Sequence, residues 1–230
     1  MLFRSDGAIV GFECMHALRT RKKGKTGAMA LKLDMSKAYD RVEWIFISSM
    51  MVRLGFSSNW VDRIMRCVTS VSFSFLVNGR AYGNLKPSRG LRQGDPLSPY
   101  LFLLCAEGFS RLLFAAERTG AIAGFRCSRG GPKIHHLFFA DDSMLFTRAH
   151  DKDCRAINRI LEIYSKASGQ MVNFQKSAMC VSKRVSHHRA LRLSGILGIK
   201  LVKCHERYLG LPSFAGKNKR QLFASIKDRV

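Results

Sequence analysis

Apolar and polar positions alternate along Ala28 to Asp34, AMALKLD, so that Met29, Leu31 and Leu33 share one side; this predicts a short strand ended by Asp34. Upstream, residues 8 to 20 read as the end of a helix, and the basic run Arg19 to Lys25, closed by Gly27, reads as a loop. Downstream, Ser36 allows a turn into a helix across Ala38 to Leu54, stopped by Gly55 at the C′ position. Ser57 and Ser58 then cap a second helix from about Asn59 to Val68. Val71 to Val77 is strand-like, and Asn78-Gly79 is a two-residue hairpin signal leading to a return strand near Ala81. Pro87 to Pro99, PSRGLRQGDPLSP, carries too much Gly and Pro for regular structure and predicts a stiff, irregular loop of the kind that serves ligands. Ser98 as cap and Pro99 at the first helical position open a long apolar helix to about Arg118, ending before Gly120.

The stretch His135 to Phe146, HHLFFADDSMLF, reads as two apolar strands around a tight turn at Asp141 and Asp142. A helix follows from about Asp151 to Ala167, with Ile157, Ile160, Leu161 and Tyr164 on one stripe and Gly169 closing it. Ala178 to Ser182 predicts a strand, Tyr208 to Leu211 a short one, and Lys217 to Val230 an amphipathic basic helix. The order strand, two helices, hairpin, long helix, hairpin, helix, strand predicts an α+β fold: an antiparallel sheet with helices on one face, related to the split βαβ arrangement.

Two adjacent acids inside an apolar hairpin repel each other and raise each other's pKa unless cations neutralise them. Asp141-Asp142 is therefore either a solvated turn or part of a divalent-metal site. In an antiparallel sheet the strand ending at Asp34 can neighbour this hairpin, bringing a third carboxylate to the same edge.

Charge narrows the partner. Against 16 Asp and Glu stand 39 Lys and Arg, a formal +23, which points to a polyanion, nucleic acid first. Beyond Glu162 the bias steepens: Lys and Arg outnumber Glu206 and Asp228 by fourteen to two, a segment suited to a phosphate backbone. No apolar run such as Tyr100 to Ala106 is expected to reach spanning length, so no membrane partner is expected. The seven cysteines lack any CxxC or knuckle spacing and fit free thiols in a reducing compartment; with Arg4 and Asp6 where a signal peptide needs apolar residues, an intracellular protein is expected.

Five segments, LKLDMSKAYDRVEW (31 to 44), SRGLRQGDPLSPYLF (88 to 102), FFADDSMLF (138 to 146), SGQMVNFQKS (168 to 177) and YLGLPS (208 to 213), resemble in order and spacing the successive palm motifs of reverse transcriptases. They look most like those of non-LTR (LINE-type) retrotransposons, plant copies in particular. The resemblance implies a right-hand polymerase palm and RNA-directed DNA synthesis by a two-metal mechanism, with two Mg²⁺, or Mn²⁺, as cofactors. It makes Asp34 and Asp141 the metal ligands, Asp142 the supporting acid, and Lys176 the proton donor to the leaving pyrophosphate, in a loop shaped by Gly169 and Asn173. Tyr39 matches the aromatic that crowds the sugar 2′ position. Gln93 and Gly94 match the loop beside the incoming nucleotide, with Arg92 and Arg89 available to phosphates. Tyr208, Leu209 and Gly210 resemble the primer grip. The implied partners are an RNA template, a DNA primer and dNTPs, with a nuclear site of action.

On the same resemblance, residues 1–27 correspond to the remnant of a fingers region, 28–207 to the palm, and 208–230 to the primer grip and the start of a thumb. The chain thus looks like a fragment, or a decayed copy, of an element's polyprotein. Two other readings stay open: a non-catalytic nucleic-acid-binding remnant, and an RNA-dependent RNA polymerase, which shares an Asp-Asp turn but which Tyr39 argues against.

Overall fold

The computed structural model describes residues 4–20, 27–128, 130–203, 207–209 and 211–212, and divides into two compact units. The first comprises Met1–Asp34, Leu113–Ile160 and Val172–Val230; the second comprises Met35–Leu112 and Leu161–Met171.

The first unit holds helix α1 (Arg4–Thr20) and a five-stranded sheet. Its strands are β1 (Ala28–Leu33), β4 (His136–Phe139), β5 (Asp142–Arg148), β6 (Ala178–Val181) and β7 (Lys200–Leu201), in the order β4-β5-β1-β6-β7. All neighbours are antiparallel except β6 and β7. The alternation read from AMALKLD holds: Ala28 and Ala30 join Met144, Phe146 and Cys180 in a core closed by Cys14, Met15 and Leu18 of α1. Met29, Leu31 and Leu33 point to the other side and are fully buried; there Cys154 Sγ lies 3.9 Å from Met29 Sδ. Cys154 belongs to the first turn of α5 (Asp151–Ser168), so helices meet both faces of this α+β sheet and not one face as expected, because β1 is apolar on both sides.

Buried Asp153 ties the unit together: one carboxylate oxygen accepts from Thr147 Oγ1 (2.6 Å), the Ala123 amide (3.1 Å) and Arg148 Nε (3.3 Å). Helix α6 (His187–Leu197), not expected from the sequence, follows β6; Ser186 caps it by accepting from the Arg189 amide, and Gly198 ends it in the left-handed conformation. The segment at Tyr208 is a hairpin rather than one strand, with β8 (Arg207–Tyr208) paired to β9 (Leu211–Pro212). The predicted helix over Lys217 to Val230 lies outside the described residues.

The second unit holds α2 (Trp44–Arg53), α3 (Ser58–Thr69), the hairpin of β2 (Phe73–Val77) and β3 (Arg80–Leu85), and the start of α4 (Ser98–Arg118). The Asn78-Gly79 turn forms as expected, with both residues at positive φ (50° and 79°). The helix expected over Ala38 to Leu54 starts only at Trp44. Lys37 sits at φ 50°, and residues 36–43 give their backbone groups to other segments, which a helix could not do.

The expectation that no apolar stretch reaches spanning length is also corrected: α4 is long and apolar enough to cross a membrane by length and composition. Its Leu101, Cys105, Phe109 and Leu113 recur at i,i+4 and are buried, while Tyr100, Leu103 and Phe114 are exposed.

His135 and His136 sit edge-on to Phe114, their Nδ1 atoms 2.6 Å apart. Burial, then the neighbouring His135, pushes His136 down to about 4; burial also lowers His135, against the pull of Glu117, 3.4 Å from its Nε2. With folded values below the unfolded one, these rings take up protons more readily in the unfolded chain. Stability is therefore complete above about pH 6.5 and is lost as the pH falls toward 4. We expect the unfolding free energy from urea melts to drop across that window by roughly 1 kcal/mol per pH unit for one proton, and the drop to shrink in His136→Leu. A wild-type midpoint unchanged between about pH 7 and 4.5 would contradict this.

Candidate active site

The register of β1 and β5 decides where the acids fall. Leu33 pairs with Ser143, so Asp34 follows at the end of β1 beside the start of β5. Phe139 pairs with Asp142, which leaves Ala140 and Asp141 as a two-residue turn, with Ala140 at φ 50°. Asp34 and the Asp141-Asp142 pair thus share one edge of the sheet. Asp141 is exposed, while Asp34 and Asp142 are half-buried. The adjacent acids differ in their partners, because Lys32 Nζ lies 3.6 Å from Asp142 Oδ1.

The turn carrying Lys176 is fastened to Asp34. The Asn173 amide donates to the Asp34 carbonyl (2.8 Å), and the Asp34 amide donates to Ser177 Oγ (3.1 Å). Between these anchors the Lys176 amide donates to Asn173 Oδ1 (3.2 Å), leaving the lysine exposed. Ser177 was not singled out from sequence; its place directly after Lys176 was the available signal.

Tyr208 and Leu209 are buried against α1, where Gly11 and Gly7 give them room. A Cβ at Gly11 would stand 2.7 Å from the Tyr208 ring, and one at Gly7 would touch Leu209. The Tyr208 hydroxyl has no hydrogen-bond partner among the described residues, and burial, reinforced by the Asp142 carboxylate, pushes its ionisation far up. These side chains therefore pack the core rather than face a ligand. Gly210 lies outside the described residues.

The other predicted residues belong to the second unit. Tyr39 stacks on Phe102 with centroids 4.9 Å apart and planes 9° apart. Its segment is held from both sides. The Leu91 amide donates to the Tyr39 carbonyl (2.9 Å), the Gly90 amide to that of Val42 (2.9 Å), and Trp44 Nε1 to that of Gly90 (2.7 Å). From residues 168–171, Gln170 Nε2 donates to the Ala38 carbonyl (2.6 Å), while the Ser36 amide donates to Met171 O (2.8 Å). Gln93 is exposed on a cleft of about 540 Å³ also lined by Trp44, Phe73, Arg89, Arg92 and Asp95. Arg92 pairs with Asp95, whose carboxyl is held below its ordinary value by the Leu97 amide and then by Arg92; Arg89 lies 3.3 Å from Glu43. Gly94 sits at φ 87°, and a Cβ added to it would meet nothing within 4 Å, so its role is conformational.

The profile of the reverse transcriptase (RNA-dependent DNA polymerase) family matches residues 4–212. The chain belongs to this family. Among its relatives is an uncharacterized mitochondrial protein of Arabidopsis thaliana, 55% identical over 69 residues, which are 30% of this chain and 57% of that protein. Another is the retrovirus-related Pol polyprotein from the type-1 retrotransposable element R2 of Popillia japonica, 33% identical over 74% of this chain and 27% of the polyprotein. The transposon TX1 uncharacterized 149 kDa protein of Xenopus laevis is 28% identical over 64% of this chain and 11% of its own length. This reverse transcriptase domain thus spans about a quarter of the R2 polyprotein. In fold it is similar to the structure of apo telomerase from Candida tropicalis truncated from the C-terminal domain, with a TM-score of 0.59 at 15% identity over 81% of this chain and 36% of the telomerase. The α+β polymerase palm inferred from the motif order is therefore the fold of this chain, and the non-LTR resemblance holds. Family membership implies a nucleic-acid template and primer, nucleotides, and a divalent metal in general terms.

The acids at the sheet edge, Asp34, Asp141 and Asp142, offer carboxylate oxygens, although no group of three or more His, Cys, Asp or Glu side chains converges among the described residues. That donor set fits a hard cation such as Mg²⁺, which takes one or two carboxylates from a protein and fills its sphere with water and phosphate.

A Cβ on Gly90 would lie 2.8 Å from the Asp40 carbonyl, and Gly90 sits at φ 89°. Gly90→Ala should therefore displace the segment carrying Tyr39, lowering the unfolding midpoint by the equivalent of about 1–3 kcal/mol. A denaturant melt matching wild type would show that the segment is not held in this way.

Proposed function

We propose that this chain forms the palm of an RNA-directed DNA polymerase that extends a primer by template-directed nucleotidyl transfer. The observation that carries the reading is the β1–β5 register, which puts Asp34 and Asp141-Asp142 on one sheet edge within a chain of this family.

Asp34 and Asp141 would hold the divalent cations, two Mg²⁺ or Mn²⁺. When bound, such ions supply charge neutralisation at the triphosphate and activation of the primer's 3′ hydroxyl. Asp142, already facing Lys32, acts as a supporting acid. Lys176, on the turn fastened to Asp34, would give a proton to the departing pyrophosphate. Tyr39, fixed by its stack on Phe102, excludes a 2′ hydroxyl. Gln93 and Gly94 lie beside the incoming nucleotide, and Arg89 and Arg92 can trade their acidic partners for phosphate oxygens. Backbone at Tyr208, Leu209 and Gly210 grips the primer. An RNA template, a DNA primer and dNTPs are the corresponding partners.

Primer extension on an RNA template tests the reading. Asp141→Ala should lower incorporation about a thousandfold, the several kcal/mol that a metal site contributes, while RNA binding persists. Incorporation unaffected by Asp141→Ala, or salt-sensitive RNA binding with no incorporation by the wild type, would overturn it. Tyr39→Ala should gain ribonucleotide use, measured as the dNTP/rNTP ratio of kcat/KM; a wild type already preferring rNTPs would indicate an RNA polymerase instead.

A further inference from the structure

The β2–β3 hairpin presents an apolar face that nothing in its unit covers. Phe75 is 62% exposed, Tyr82 53% and Phe73 41%, and every residue of both strands is exposed. The register puts Phe75 opposite Tyr82 and Val77 opposite Arg80 on one side; Phe73, paired with Leu85, follows across an irregularity in the ladder. An aromatic face this open normally meets a partner.

Charge identifies the partner. From Arg63 to Gly94 the chain has no acidic residue, but carries Arg63, Arg66, Arg80, Lys86, Arg89 and Arg92. Arg80 lies on the aromatic face itself, opposite Val77. Exposed rings interleaved with cations suit unpaired bases above a phosphate chain. A duplex does not suit it, because its bases already stack on one another. A protein partner of ordinary composition would leave the basic side chains of the hairpin unmatched.

The face also runs into the Gln93 cleft. Phe73 is both the end of the aromatic row and a wall of the cleft that holds Gln93, Arg89 and Arg92. A strand laid along the hairpin would be led into the loop beside the nucleotide.

We propose that Phe75, Tyr82 and Phe73 form a stacking platform for single-stranded nucleic acid, with Arg80 as its phosphate contact. In the polymerase reading this strand is unpaired RNA template before it is copied; only the identity of the strand rests on that reading.

The test is fluorescence anisotropy with the full chain and labelled oligonucleotides of about 16 nucleotides, as single-stranded RNA, single-stranded DNA and RNA duplex, across a salt series. The double variant Phe75→Ala with Tyr82→Ala should weaken single-strand binding about tenfold or more, with the dependence of log K on log salt unchanged and duplex binding unaffected. Phe75→Tyr with Tyr82→Phe should bind as wild type, which separates loss of stacking from loss of fold. RNA weakened more than DNA assigns the platform to template; equal weakening keeps it as a general single-strand site. The proposal fails if the alanine pair binds single strands as wild type does, if single strand and duplex weaken alike, or if sedimentation shows the alanine pair dissociating a wild-type dimer with strand affinity unchanged. Aromatic-dependent binding in a chain that incorporates no nucleotide would refute the polymerase reading and leave the platform standing.

Discussion

The constraint on which the site depends is the pairing of β1 with β5. Side chains alternate faces along a strand, so a slip of one residue would carry Ala28 and Ala30 out of the α1 core and bring Met29 and Leu31, shaped for the opposite face, into it. It would also move Asp34 away from the β4–β5 turn. The same apolar contacts that make the sheet stable therefore fix the placement of the acids. No dedicated interaction among the carboxylates is required, which suits groups that repel one another until cations arrive.

In the second unit the corresponding device is a segment without regular structure. Residues 36–43 hand their amides and carbonyls to residues 90–91 and 168–171, and glycines at 90 and 169 let those neighbours approach backbone to backbone. A Cβ on Gly169 would come within 2.2 Å of the Arg41 carbonyl. The rigidity around Tyr39 is thus borrowed from segments far along the chain. Three of the motif stretches, 31–44, 88–102 and 168–177, meet there.

Much of this was legible in advance because the signals were local. Period-two alternation found β1, Asn-Gly found the β2–β3 turn, and Gly55 and Gly169 marked where α2 and α5 stop. The helix expected from Ala38 failed for the opposite reason. Its residues have ordinary propensity, and only hydrogen bonds to segments far along the chain, at residues 90–91 and 168–171, pull them out of helical geometry. Helix α6 had its signals, Ser186, Gly198 and the buried Leu193 and Leu197 at i,i+4, but they were masked by the basic run in which they lie. Unequal roles for Asp141 and Asp142 were expected from motif resemblance alone; that Lys32 reaches Asp142 could be read only once the strands were paired.

The sheet order carries a consequence for biosynthesis. Among the described strands of this sheet the central one is made first, yet its partners β5 and β6 come more than a hundred residues later, and β6 ends only at Val181. Until the ribosome has delivered that residue, β1 has an open, largely apolar edge that can pair with any extended chain nearby. The fold is thus built of high-contact-order pairings around its earliest strand, so the nascent polypeptide passes through a long interval in which chaperone protection or mispairing decides its fate.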